Sequence, residues 1–143
     1  MRIDADVLKR ICRQWRLVPI ALALAGAVQA HHSFSNFDQS KTMSLTGTVK
    51  AFEFHFPHSW IWVDVPGSKG SVQTWGFEGA GPVELNRIGG WTAGTLRPGD
   101  KITVTFCPLR DGKAGGAFTS VKLADGRVLK GFELACVPKK PPQ

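Results

Sequence analysis

From Met43 to Ala51, small or apolar residues hold the odd positions (Met43, Leu45, Gly47, Val49, Ala51) and polar ones hold the even positions, the period of a half-buried strand. After Ala51 the phase flips to Phe52, Phe54 and Phe56. A one-residue phase change is what a β-bulge produces, and Phe56-Pro57-His58 then reverses the chain. A second strand over 59–65 ends at Pro66-Gly67, and a third over 72–78 runs into Gly79-Ala80-Gly81. Pro82 suits a first helical turn and Gly89-Gly90 a helix end, so residues 83–88 are predicted as a short helix. After the turn Arg97-Pro98-Gly99-Asp100, alternation resumes over 101–107 with Ile102, Val104 and Phe106 on one face. A fifth strand is expected over 117–123, and Asp125-Gly126 makes a hairpin into Val128 and Leu129.

Five short strands, a bulge in the first and one short helix between the third and fourth are the element order of an OB-type barrel. The fold class expected is therefore all-β: a small five-stranded OB-like barrel, with a plain sandwich as the alternative. With 143 residues the chain has room for one domain. Its first thirty residues are expected to lie outside that domain. Lys9, Arg10, Arg13 and Arg16 precede the apolar run 17–28, which ends at Val28-Gln29-Ala30, the pattern of a cleavable secretory signal peptide. The run is shorter than the roughly 20 residues of a spanning helix. Residues 1–30 are thus expected as signal peptide, 31–137 as the barrel with an N-terminal arm, and 138–143 as a flexible tail. The location implied is periplasmic or secreted.

Processing changes the charge as well. The whole chain carries 18 Lys+Arg against 11 Asp+Glu, net +7; five basic and two acidic residues leave with the signal, so the remaining 13 and nine give +4. Two cysteines stay behind, Cys107 and Cys136, in a compartment where disulfides persist. Their pairing is expected, the alternative being two separate thiols.

The segments His31-His32-Ser33-Phe34, Leu45-Thr46-Gly47-Thr48-Val49, Pro57-His58-Ser59-Trp60 and Leu96-Arg97-Pro98-Gly99-Asp100 together resemble a family of small exported bacterial proteins classed as a domain of unknown function. The resemblance covers nearly all of the chain after residue 30 and implies export and a compact β domain, with no activity attached. Where that family typically has Asn before the Pro-His pair, this chain has Phe56.

All four histidines fall in two places: His31 and His32 at the expected mature start, and His55 and His58 around the first turn. An N-terminal histidine offers its amine and a ring nitrogen to one metal ion, and a third nitrogen from His55 or His58 would complete a histidine brace. Such a nitrogen-rich site suits Cu(II), so copper is the cofactor expected if a metal binds. The alternative is a solvated terminal pair and a His58 that hydrogen-bonds its turn.

The second strand is apolar on both sides, Trp60 and Trp62 on one and Ile61, Val63 and Val65 on the other. If the β-branched side fills the core, Trp60 and Trp62 lie outside, near Trp75 or Phe77 of the third strand. The candidate ligand face is thus Trp60, Trp62 and Trp75, on the part of the sheet where OB-type barrels bind ligands. Its cover would be an arm carrying Phe34 and Phe37, the segment Phe132-Glu133-Leu134, or an external ligand.

Two readings of function follow. One is an exported binding protein that holds or hands over copper through His31, His32, His55 and His58. The other is a non-metal envelope module that binds a glycan, peptide or protein on the tryptophan face; nucleic acid is not an expected partner for an exported chain. An enzyme is not expected, since no nucleophile-histidine-acid set, phosphate loop or paired carboxylate site is legible. A copper-dependent oxidase or monooxygenase is the alternative there.

Overall fold

The computed structural model describes residues 34–132 and Cys136. The expected signal peptide, the tail 138–143, His31 and His32, and Glu133 and Leu134 lie outside the described residues. Six strands follow in chain order: β1 (Met43–Glu53), β2 (Trp60–Pro66), β3 (Val72–Glu78), β4 (Lys101–Pro108), β5 (Gly115–Leu123) and β6 (Val128–Lys130). One helix, α1 (Pro82–Gly89), lies between β3 and β4. The spatial order β3-β2-β1-β4-β5-β6 is closed by a parallel β3–β5 pairing, so β1 to β5 form a mixed five-stranded barrel and β6 is appended to β5. This is the OB-type order expected from the pattern, and closure removes the exposed edges an open sheet of this size would carry.

The phase flip in β1 is a bulge: the β1–β2 register shifts between Val49 and Ala51, turning Phe52 inward opposite Ile61 and Glu53 outward opposite Trp60. Phe52 then meets the ring of Trp91 at 5.7 Å. The core collects Val49, Ile61, Val63, Phe77, Leu85, Trp91, Val104, Phe106, Phe118 and Val121, each almost wholly buried. Helix α1 starts with Pro82 and ends at Gly90, whose φ of 68° is the left-handed conformation that glycine adopts without a Cβ penalty. That turn drops Trp91 into the core, where its indole N–H donates to Lys130 O at 2.7 Å and ties the helix end to β6.

The expected pairing of Cys107 with Cys136 is present, with Cα atoms 5.6 Å apart. Thr42 Oγ1 also donates to Cys136 O, so Cys136 is tied to both the start of β1 and the end of β4. Among the described residues no helix is long and apolar enough to cross a membrane.

Candidate functional site

The register of β1, β2 and β3 writes the site out row by row. Glu53, Trp60 and Glu78 are cross-strand neighbours in one row; Ala51, Trp62 and Gly76 form the next. Because side chains alternate along a strand, both rows point away from the core, while Ile61 and Val63 between them are fully buried. The two outward indoles are stacked, their planes 14° apart and ring centres 5.7 Å apart. Trp62 has room because its row neighbours are the smallest residues available. A Cβ on Gly76 would fall 2.6 Å from the Trp62 ring, so the indole lies directly across that backbone. Its N–H donates to Glu53 Oε1 at 2.8 Å, which fixes the ring's orientation.

Both β1–β2 loop histidines are held by carboxylates of this face. His55 Nε2 lies 3.3 Å from Glu53 Oε2 while its Nδ1 lies 3.1 Å from Phe56 O, so both ring nitrogens are engaged. His58 Nδ1 bonds Glu78 Oε1, and the His58 ring meets Phe132 edge-on at 6.3 Å. The two acid–imidazole pairs therefore belong to strands on either side of Trp60, His55 with Glu53 and His58 with Glu78. Phe56, between them, is 69% exposed. Among the described residues no three His, Cys, Asp or Glu side chains converge as a metal-ligand set.

Trp75 does not belong to the ligand face. It pairs with Val63, stacks on Phe77 at 6.2 Å and meets Phe106 edge-on at 5.8 Å, so it packs against the core from the inner side. The reason is register: Gly76, not Trp75, stands opposite Trp62, and alternation carries Trp75 inward with Phe77. Of the covers expected for the indoles, Phe37 is buried where it bridges Leu109 past the end of β4, and Phe132 sits beside His58.

The two acids of the face differ from four of the other six acids among the described residues. Asp38, Glu84, Asp111 and Asp125 each have a Lys or Arg partner two or three positions along, at 2.5 to 3.1 Å. For Asp38, hydrogen bonds from Ser40 and Lys41 hold the carboxyl down at about 2. Among the described residues Glu53 and Glu78 have no such partner, only imidazoles. These two acids, with Gly76 and Phe56, are what sequence reasoning missed. The signal for Glu53 was present in the flipped phase of β1, which places it outward as surely as it places Phe52 inward. A depression of about 240 Å³ lined by Thr95, Asp100, Ile102, Asp125 and Arg127 contains none of the residues expected to bind a ligand.

A model of a family described as a family of unknown function, DUF6152, matches residues 20–119. No curated protein matches the chain. Among solved structures, a mitochondrial single-stranded DNA-binding protein from S. cerevisiae is similar at 13% identity and a TM-score of 0.45, over 65% of this chain and 97% of that one.

Proposed function

This chain belongs to the DUF6152 family of unknown function, and from that premise we propose that it is an exported binding module whose ligand site is the outer Trp60/Trp62 face of the barrel. The observation that carries the reading is the pair of stacked indoles turned away from the core and walled by Glu53 and Glu78. An aromatic pair costs less when covered than when wet, and two indoles next to carboxylates offer a ligand both an apolar surface and hydrogen-bond acceptors. The ligand is an envelope component met after export, a glycan, a peptide or a protein. The role proposed is binding.

Titration of the processed protein with soluble glycans and peptides, followed by tryptophan fluorescence, tests this reading. A saturable signal that disappears in Trp60→Ala while the variant stays folded is the expected result. Binding that survives both Trp60→Ala and Trp62→Ala would move the site elsewhere. Export has its own check, because the mature chain isolated from the periplasm should begin at His31.

Copper carriage is the second reading, and one feature favours it. The bond from His58 Nδ1 to Glu78 leaves Nε2 available, the carboxylate-histidine arrangement that commonly orients a metal ligand. In this reading His58 is the third nitrogen beside the amine and ring nitrogen of His31, and His55 is the poorer candidate because both its ring nitrogens are engaged. Competitive Cu(II) titration with electron paramagnetic resonance on processed protein should then give one tight nitrogen-rich site that weakens in His58→Ala. Weak, nonstoichiometric binding would dispose of it.

A further inference from the structure

Building on the binding-module reading of the Trp60/Trp62 face, we infer that this face takes a guanidinium, the side chain of an arginine displayed on a polypeptide partner, stacked on Trp60 and bonded sideways to Glu78 or Glu53. The surface is rich in acceptors and poor in donors. Glu53 receives one N–H from Trp62 and faces His55; Glu78 faces His58. An ionised carboxylate has about four acceptor positions, so each acid has capacity left for a donor brought from outside. Histidine is not a permanent cation, unlike the Lys and Arg that neutralise Asp38, Glu84, Asp111 and Asp125. Four described carboxylates thus lack a fixed positive partner: Asp64 accepts the Thr74 hydroxyl and Asp100 the Arg97 N–H, while Glu53 and Glu78 are the two that stand on either side of an indole.

A guanidinium meets these demands together. It is planar and weakly hydrated, it stacks on an indole face, and its N–H fork then lies in the stacking plane, directed at groups beside the ring. Neighbouring strands lie about 4.8 Å apart, which puts both acids of the row within reach of a cation seated on Trp60. A phosphate-bearing strand would meet two carboxylates and be repelled, and a neutral sugar would leave their charge uncompensated. The net charge of +4 expected for the processed chain means that basic peptides are repelled by the molecule as a whole, so capture here depends on the local pair. The face is open at its Glu53 end, where the Glu53 side chain is 45% and that of His55 58% exposed, and more enclosed at its Glu78 end, where that side chain is 14% exposed. A free small cation would find few enclosing contacts. An arginine carried on a chain gains the rest from Phe56, which is 69% exposed on the adjoining loop.

Isothermal titration calorimetry on the full processed chain tests this with a ten-residue Gly/Ser peptide carrying three arginines. Its counterpart replaces each arginine with citrulline, which has the same shape without the charge. The arginine peptide should bind about tenfold tighter than the citrulline one, and Trp60→Ala should abolish that difference. Glu53→Gln and Glu78→Gln should each reduce it; Glu53 is exposed enough for its variant to fold whatever Glu78→Gln does. Equal affinity for both peptides, or an arginine preference unchanged in Trp60→Ala, would overturn the assignment. Chitotetraose binding through Trp60 with no arginine preference would overturn it too, yet leave the binding-module reading standing. Silence from every probe would count against both.

Discussion

On its inner face, β2 presents Ile61 and Val63, both wholly buried and packed against Phe77, Phe106 and Val104; on its outer face it presents Trp60 and Trp62, half-buried, stacked on each other and bordered by Glu53 and Glu78. The outer pair carries the larger side chains, yet the smaller inner pair builds the core. Apolar content therefore does not separate a packing surface from a recognition surface. What separates them is the company each keeps across the strands: aromatic and aliphatic neighbours inside, and outside a row of the smallest residues followed by a row of acids.

That contrast can be broken from either side. The largest effect is expected from Ile61→Ala, which should cost about 2–5 kcal/mol in urea denaturation and remove ligand binding only because the barrel opens. Removing the disulfide with Cys107→Ser and Cys136→Ser comes next. The bond spans a separation of 29 residues, and its loss should lower stability by about 2–4 kcal/mol while leaving the outer face intact in the molecules that remain folded. Gly76→Val sharpens the comparison more finely. The new side chain must displace the Trp62 indole, costing about 1–3 kcal/mol, shifting the tryptophan emission and breaking the bond to Glu53, with the inner face unaffected. The smallest effect should be that of Ser59→Ala. This buried hydroxyl makes no hydrogen bond to another described residue, so its removal should change the denaturation midpoint hardly at all, by less than about 0.5 kcal/mol, or raise it. A cost above about 1 kcal/mol would mean that Ser59 holds a buried water.

Much of the fold was legible because its signals are local. The phase flip after Ala51 marked the bulge, Pro82 and Gly89-Gly90 bracketed the helix, and Asp125-Gly126 marked the last hairpin. Trp60 and Trp62 were placed outward for the same reason, since the β-branched side of β2 had only one place to go. The site's remaining parts depend on register, which no single segment encodes. Trp75 looked like a companion of the outer indoles until the pairing of Trp62 with Gly76 turned it inward. Glu53 and Glu78, read singly, are solvated acids; only the shared row with Trp60 gives them a common role. His55 and His58 are close in sequence, but Trp60 stands between the carboxylates that hold them.

The most direct test sets Trp60→Ala beside Trp75→Ala, with urea denaturation and affinity for the arginine peptide measured on both. Trp60→Ala should unfold within about 1 kcal/mol of the parent and lose the peptide, whereas Trp75→Ala should lose about 3–5 kcal/mol of stability and keep its affinity where it remains folded. A Trp60→Ala variant destabilised as severely as Trp75→Ala, with peptide affinity unchanged in its folded fraction, would make the outer indoles part of the packing and contradict their assignment as the binding face.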